Sequence, residues 1–107
     1  MPQITVIARS KARPGSEAAL EAAIREAVAP THAEAGCLKY SFQRSVEDKT
    51  SYVIIEKWVS KEALDQHLAS PHVRTLFGKL PALVAAAPEI QVFESLKVGD
   101  PKKSDIV

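Results

Sequence analysis

The order of strand and helix patterns along this 107-residue chain predicts an α+β fold built on one four-stranded antiparallel sheet. Short runs of alternating or two-faced apolar residues predict strands over residues 3–12, 37–46, 51–59 and 89–98. Apolar residues at helical spacing, bounded by proline, glycine and serine, predict helices after the first and the third strand. The resulting order is the split βαβ, or ferredoxin-like, arrangement, in which helices cover one face of the sheet.

The first strand, over residues 3–12, carries apolar residues on both faces, so we expect both faces to be covered. Arg13-Pro14-Gly15 predicts a turn, and Ser16 is a candidate N-cap for a helix over residues 17–29. Pro30 ends or kinks that helix because proline has no backbone N–H to donate. Residues 31–34 are a candidate for one more helical turn, which Gly36 would stop.

The second and third strands are separated by the polar segment Glu47-Asp48-Lys49-Thr50, which predicts an antiparallel hairpin. Ser60 is suited to cap a short helix over residues 61–69. Ser70 and Pro71 then restart a helix, with serine as the N-cap and proline at the first helical position. Pro81 kinks or re-caps this last helix.

The end of the chain changes character after the fourth strand, over residues 89–98. Residues 99–107 are polar and rich in turn formers, so we expect a loose tail after a single domain over residues 1–98.

The composition excludes some classes of protein. A net charge of +1 gives no support for binding nucleic acid or an anionic membrane. One cysteine forms no internal disulfide, and the first residues lack a signal-peptide pattern, so a cytoplasmic protein is expected.

Both faces of the third strand carry apolar residues, with Tyr52 and Ile54 on one and Val53 and Ile55 on the other, so the sheet face that the helices leave open is apolar as well. The chain is too short to supply a second layer that would cover this face. An open apolar sheet face typically marks an interface, so the sequence predicts a homodimer whose two sheets pack face to face.

Residues 52–72 hold most of the potential chemistry, because they contain the only tryptophan and two of the three histidines. Trp58 shares a strand face with Glu56 and Tyr52, and can form either an aromatic wall for a flat substrate or plain core. An ionised carboxylate at Glu56 is costly there, so it needs a partner or a raised pKa. It is a candidate general base, an anchor for a histidine, or a structural hydrogen-bond acceptor.

His67 and His72 are the candidate proton acceptors of the pocket. They are five residues apart with Pro71 between them, which is not the spacing that places two ligands on one helix face. No cluster of cysteine or carboxylate residues completes a metal site, so none is expected. His67 is the first choice as acid or base and His72 the second, and an ordinary hydrogen bond at a helix edge is the alternative for either.

Further pocket candidates come from the hairpin and the last helix. Tyr40 and Arg44 share a face of the second strand, and Tyr52 lies near them across the hairpin. Arg44 or Tyr52 is suited to bind a substrate oxygen, although the sequence does not say whether their face meets the helices or the partner subunit. Phe77 is a candidate for the roof of the pocket or for the core.

The chain resembles the antibiotic biosynthesis monooxygenase (ABM) domain family, including its quinol monooxygenase-like members. The resemblance covers about residues 3–97 and rests on five motifs: Arg13-Pro14-Gly15, Gly36-Cys37-Leu38-Lys39-Tyr40, Glu56-Lys57-Trp58, Ala63-Leu64-Asp65-Gln66-His67-Leu68 and Ser70-Pro71-His72.

The resemblance implies a homodimeric α+β barrel with a pocket between sheet and helices in each protomer. Activities in the wider group include cofactor-free oxygenation of quinols and anthrones, haem degradation, and isomerisation of small sugars. The chain contains no asparagine, and haem-degrading relatives are expected to use one, so haem degradation is disfavoured. Some cofactor-free oxygenases of the group also rely on a pocket asparagine, which weakens the closest mechanistic analogy.

The resulting hypothesis is a cofactor-independent monooxygenase that oxidises a quinol- or anthrone-like phenolic compound with O₂. His67 is the base, supported by Glu56, and Trp58, Tyr52 and Phe77 shape the pocket. The alternatives are a non-catalytic homodimer that binds a small hydrophobic molecule, and an isomerase or lyase that uses the same pocket.

Overall fold

The computed structural model describes residues 2–105 and confirms the α+β, ferredoxin-like fold. All strand pairs are antiparallel, in the spatial order β2-β3-β1-β4, and helices cover one face. The elements in chain order are β1 (Ile4–Lys11), α1 (Glu17–His32), β2 (Cys37–Arg44), β3 (Ser51–Trp58), α2 (Lys61–Leu68), α3 (Pro71–Leu83), β4 (Glu89–Phe93) and α4 (Pro101–Ser104).

The register of the central strands places the key side chains. Glu56 of β3 lies opposite Val6 of β1 on one side and opposite Tyr40 of β2 on the other. Trp58 lies opposite Ile4. Because side chains alternate along a strand, all five point to the face that the helices cover. The core therefore includes the carboxyl group of Glu56, which is buried on the central strand β3 beneath the helices.

The helix boundaries follow local signals at most but not all positions. The hydroxyl of Ser60 accepts a hydrogen bond from the backbone N–H of Ala63, and that of Ser70 accepts from Val73, so both predicted caps are confirmed. Ser16 is the N-cap residue of α1 as predicted, with Glu17 in the first turn, but its side chain makes no capping hydrogen bond. The first helix also continues through Pro30 to His32, so the candidate turn after Pro30 is helical in its first two residues.

The fourth strand is shorter than the predicted 89–98, because it ends at Phe93. Lys97 has a positive φ of 55°, a conformation that does not continue a strand. The described part of the tail, residues 99–105, contains a short helix. Asp100 caps the short helix α4, and Asp105 pairs with Lys57, whose side chain lies on the face of the sheet away from α1–α3.

The face of the sheet away from the helices is only partly covered. Ile7, Val53 and Ile55 are half-buried there, and Phe93 of β4 is 45% exposed. A partner subunit for this face therefore stays a prediction. Within residues 2–105, none of the helices combines the length and the apolar character that crossing a bilayer requires.

Candidate active site

A small cavity of about 50 Å³ lies between the helix-covered face of the sheet and the helices α2 and α3. Its wall is mostly apolar, with a few polar side chains that reach it from the sheet and from α2. The residues around it include Ile24, Tyr40, Glu56, Leu64, His67 and Leu76. This combination, an apolar cavity with a few convergent polar groups, is typical of a small-molecule site.

His67 is the best placed of the predicted acid–base residues. It lies on the inner side of α2, where it is 3% exposed and borders the cavity. Its Nδ1 lies 2.7 Å from Oε2 of Glu34, in the turn between α1 and β2. A carboxylate only accepts hydrogen bonds, so Nδ1 carries the hydrogen and donates it. In the neutral ring Nε2 is then left with a free lone pair, on the side of the ring away from Glu34.

The ring of His67 is fixed by two aromatic neighbours. Its centroid lies 4.5 Å from that of Trp58 and 5.5 Å from that of Tyr40. Burial lowers the pKa of His67, while the hydrogen bond to Glu34 opposes that shift. Burial is the larger influence, so the neutral imidazole, which has an acceptor nitrogen, is favoured over the imidazolium.

Glu56 fulfils the prediction that its carboxyl needs a partner or a raised pKa, because it has both. Its Oε1 accepts a hydrogen bond of 2.9 Å from Nε1 of Trp58. Burial raises the pKa of Glu56 to about 7; the hydrogen bond from Trp58 opposes this rise and the charge of Glu34 adds to it. Glu56 was expected to support His67, but Glu34 is the carboxylate that holds the imidazole. Oε1 of Glu56 instead accepts from Trp58, and the described residues show no hydrogen bond between Glu56 and His67.

The other predicted pocket residues divide between the cavity and its surroundings. Tyr40 lines the cavity, and Phe77, which is 41% exposed, lies at its mouth. Trp58 has no exposed surface and lies behind Glu56 and His67, so it supports the wall from the core. Burial raises the pKa of the Tyr40 hydroxyl, which favours its neutral form.

Tyr52 and Arg44 were predicted in the pocket, and the structure places them elsewhere. The Tyr52 hydroxyl donates to Oε2 of Glu21 over 2.7 Å, and Nη1 of Arg44 lies 3.3 Å from the same oxygen. Arg25 also pairs with Glu21. The two residues lie at the end of the hairpin near its turn, because they are opposite one another at the last position of the register.

His72 contacts the same carboxylate as His67. Its Nε2 lies 2.9 Å from Oε2 of Glu34 and 3.2 Å from the hydroxyl of Ser70. The five-residue spacing was expected not to place the two histidines on one helix face, and they lie on two different helices that both bring their ring to Glu34. Because α2 ends before Ser70 and α3 starts at Pro71, His72 lies on a new helix axis that directs it to Glu34.

Glu34 is the site residue that sequence reasoning missed. It lies in an irregular turn, and its two histidine partners are 33 and 38 residues away. One signal was present: Gly36 follows it closely, and a Cβ at Gly36 would lie 2.4 Å from Cβ of Ala63. A glycine required by such close approach indicates that α2 packs directly on the turn that carries Glu34.

An open apolar groove of about 470 Å³ adjoins the cavity. Phe77, Leu80, Pro88 and Ile90 border both spaces. The guanidinium of Arg13, also on the groove, donates to the carbonyls of Val84 and Pro81 and thereby ties the start of α1 to the end of α3. The groove therefore leads from the surface to the cavity.

Comparison with known proteins gives one family. The model of the family described as antibiotic biosynthesis monooxygenase matches residues 3–79. A Mycobacterium tuberculosis protein named "Putative monooxygenase Rv0793" is 41% identical over 93 residues, which are 87% of this chain and 91% of that protein. The protein sll1783 of Synechocystis is 29% identical over 91 residues, and the chain spans only 62% of its length.

Solved structures agree with this result. The structure of Rv0793 superposes with a TM-score of 0.85 at 31% identity and covers 92% of this chain and 99% of its own. PA3566 from Pseudomonas aeruginosa gives a TM-score of 0.84 at 33% identity, with 90% and 96% covered. The shared fold includes the sheet and the helices that enclose the cavity.

Proposed function

The chain belongs to the antibiotic biosynthesis monooxygenase family, and from this premise we propose that it oxidises a phenolic, quinol- or anthrone-like compound with O₂ and without a bound cofactor. The observation that carries the proposal is the imidazole of His67, held by Glu34 at the wall of an apolar cavity. Substrates of this kind supply the electrons themselves, so the protein needs only to remove a proton, orient the reactants and exclude water.

His67 is the proton acceptor in this proposal. Its Nε2 takes the proton from the hydroxyl of a quinol or from the CH₂ group of an anthrone, and Glu34 stabilises the imidazolium that results. The substrate anion is richer in electrons than the neutral phenol. It passes one electron to O₂, and the resulting superoxide and substrate radical combine to form a carbon–oxygen bond.

The overall reaction for an anthrone-type CH₂ group balances without any other reactant. The carbon loses two hydrogens and gains one oxygen, and the second oxygen atom of O₂ leaves as water with those two hydrogens. In the last step the O–O bond of the peroxide breaks as the remaining proton on carbon is lost. Glu56, whose pKa is about 7, can hold a proton at neutral pH and deliver it to the departing oxygen.

The substrate must occupy the groove as well as the cavity. A cavity of about 50 Å³ is much smaller than the roughly 300–1,000 Å³ of typical ligand pockets. We place the reacting ring at the cavity mouth, beside Phe77, with the rest of the molecule in the apolar groove. Movement of Phe77, which is partly exposed, gives the ring access to His67.

The functional protein is a homodimer in this proposal. The half-buried apolar residues Ile7, Val53 and Ile55, together with Phe93, form a surface on the sheet that a second copy can cover. Two sheets packed face to face by a two-fold axis bury the same surface on both copies.

The direct experiment measures O₂ consumption with a panel of quinols and anthrones, using the wild-type protein and His67→Ala. Turnover by the wild-type protein that falls by about 10²–10⁴-fold in the variant supports the assignment. Ligand binding without O₂ uptake favours the non-catalytic binding protein instead. Conversion of a ligand under anaerobic conditions favours an isomerase or lyase.

A further inference from the structure

We propose that Glu34, His67 and His72 bind a divalent transition-metal ion of the zinc class, and that the bound ion prevents His67 from accepting a proton. The first part stands on the geometry of the three side chains alone. The second part, inhibition, rests on the function proposed above.

The donor atoms are of the right kind and converge on one point. Two imidazole nitrogens and a carboxylate oxygen are a ligand set that zinc takes in proteins. One ring nitrogen of His67, one of His72 and a Glu34 oxygen all lie within 4.8 Å of one another. The hydrogen bonds from the two rings to Glu34 measure 2.7 and 2.9 Å. A tetrahedral ion with bonds of about 2.0–2.2 Å spaces its ligands roughly 3.3–3.6 Å apart, so each histidine nitrogen needs to move away from the Glu34 oxygen by about 0.4–0.9 Å.

The surroundings allow an ion to enter. The side chains of Glu34 and His72 are each 19% exposed, whereas that of His67 is 4% exposed. One side of the cluster therefore faces solvent and the other faces the cavity. The Ser70 hydroxyl, 3.2 Å from Nε2 of His72, or a water on the exposed side, completes four-fold coordination.

Metal binding and proton acceptance exclude each other at His67. In the metal-free protein Nδ1 carries the hydrogen and Nε2 has the free lone pair. A metal needs the lone pair of Nδ1, so the hydrogen of the neutral ring must move to Nε2. A bound ion therefore converts the nitrogen that accepts the substrate proton into a hydrogen-bond donor.

The test is titration of the full, chelator-treated chain with zinc chloride by calorimetry, beside His72→Gln and His32→Gln. Glutamine at 72 can still donate to Glu34 but is a poor zinc ligand. We expect micromolar or tighter binding by the wild type and at least about 10–100-fold weaker binding by His72→Gln. His32→Gln is the matched control, because His32 bonds to the carbonyl of Tyr40, outside the cluster, and should leave zinc binding unchanged.

A second measurement keeps the result clear if His72→Gln fails to fold. Cobalt(II) added to the wild type should give the intense visible absorption of a four-coordinate site, and zinc should remove it. No binding, binding that His72→Gln leaves intact, or a six-coordinate cobalt spectrum overturns the site.

Neither readout involves a quinol or O₂, so failure of the oxygenase assay does not contradict the metal site. If quinol turnover is found, zinc should inhibit the wild type, and uninhibited turnover by the zinc-loaded protein overturns the second part.

Discussion

Glu34 lies 2.7 Å from Nδ1 of His67, although 33 residues separate the two along the chain. The carboxylate selects the tautomer of a buried imidazole and stabilises its charged form. Among the described contacts this one most directly links the fold to acid–base chemistry.

Glu34→Gln should therefore reduce turnover of a quinol or anthrone by about 10²–10⁴-fold, because the amide can donate to Nδ1 and favour the wrong tautomer. Nitrogen-detected NMR of the histidine rings should show that His67 no longer carries its hydrogen on Nδ1. Glu26→Gln is the matched control, since Glu26 is exposed on α1 and pairs with Lys79. Equal activity of Glu34→Gln and the control would contradict the assignment.

Glu56→Gln should change how stability depends on pH. Burial raises the pKa of Glu56 from 4.5 to about 7, so the folded state holds a proton that the unfolded state releases. The stabilisation that this proton gives the folded state is complete below pH 4.5, decreases as the pH rises towards 7, and is lost above about pH 7. The shift corresponds to about 3 kcal/mol, to order of magnitude. Urea unfolding at several pH values should show this loss in the wild type, and a parallel decline in Glu56→Gln would refute the prediction.

Tyr52→Phe should leave turnover unchanged, because Tyr52 lies with Glu21 and Arg44 and away from the cavity. The variant loses the hydrogen bond to Glu21, so its melting temperature should fall. Burial and the Glu21 hydrogen bond raise the pKa of Tyr52 to about 12, which keeps the hydroxyl protonated as the donor. A large loss of kcat/KM without a loss of folded protein would show that Tyr52 contributes to the substrate pocket.

Phe77→Ala should widen the mouth of the cavity and raise kcat/KM for bulky phenols relative to small ones. Phe77 is 41% exposed, so the substitution should cost about 1–2 kcal/mol, less than the roughly 3–5 kcal/mol of a fully buried phenylalanine. Steady-state O₂ uptake with a size series of substrates measures the ratio. If all substrates lose activity alike, Phe77 supports the core and does not control entry.

Phe93→Glu should weaken the predicted dimer, because Phe93 is 45% exposed and its partner in the register, Thr5, lies on the open face of the sheet. Sedimentation velocity at micromolar concentration should show a dimer for the wild type and a shift towards monomer for the variant. Val46→Glu is a suitable control, since Val46 is 91% exposed in the hairpin loop. A wild-type monomer would exclude the dimer.

The sequence predicted the parts of the fold that depend on local patterns. Alternating apolar residues located all four strands, and Ser60 and Ser70 marked two helix starts correctly. The end of β4 was missed because the apolar alternation continues to Val98 after the backbone has left the sheet at Phe93.

The candidate site was predicted only in part, because its geometry depends on long-range contacts. His67, Glu56 and Tyr40 could be chosen from residue type and expected burial, and all three line the cavity. The position of Tyr52 could not be predicted without knowing where Glu21 of α1 lies. The partner of His67 could not be predicted without knowing the path of the turn that carries Glu34. Neither is encoded in a neighbouring pattern of residues.

The requirement for glycine at position 36 gives a sequence pattern that can be searched for in other proteins. A side chain at this position would collide with Ala63, one helical turn before His67 on α2. A chain that keeps the carboxylate and the imidazole in contact on this backbone must therefore keep both small residues. The combination Glu-x-Gly followed by Ala-x-x-x-His is a joint constraint, and homologues that lose one half should lose the other in the course of their evolution.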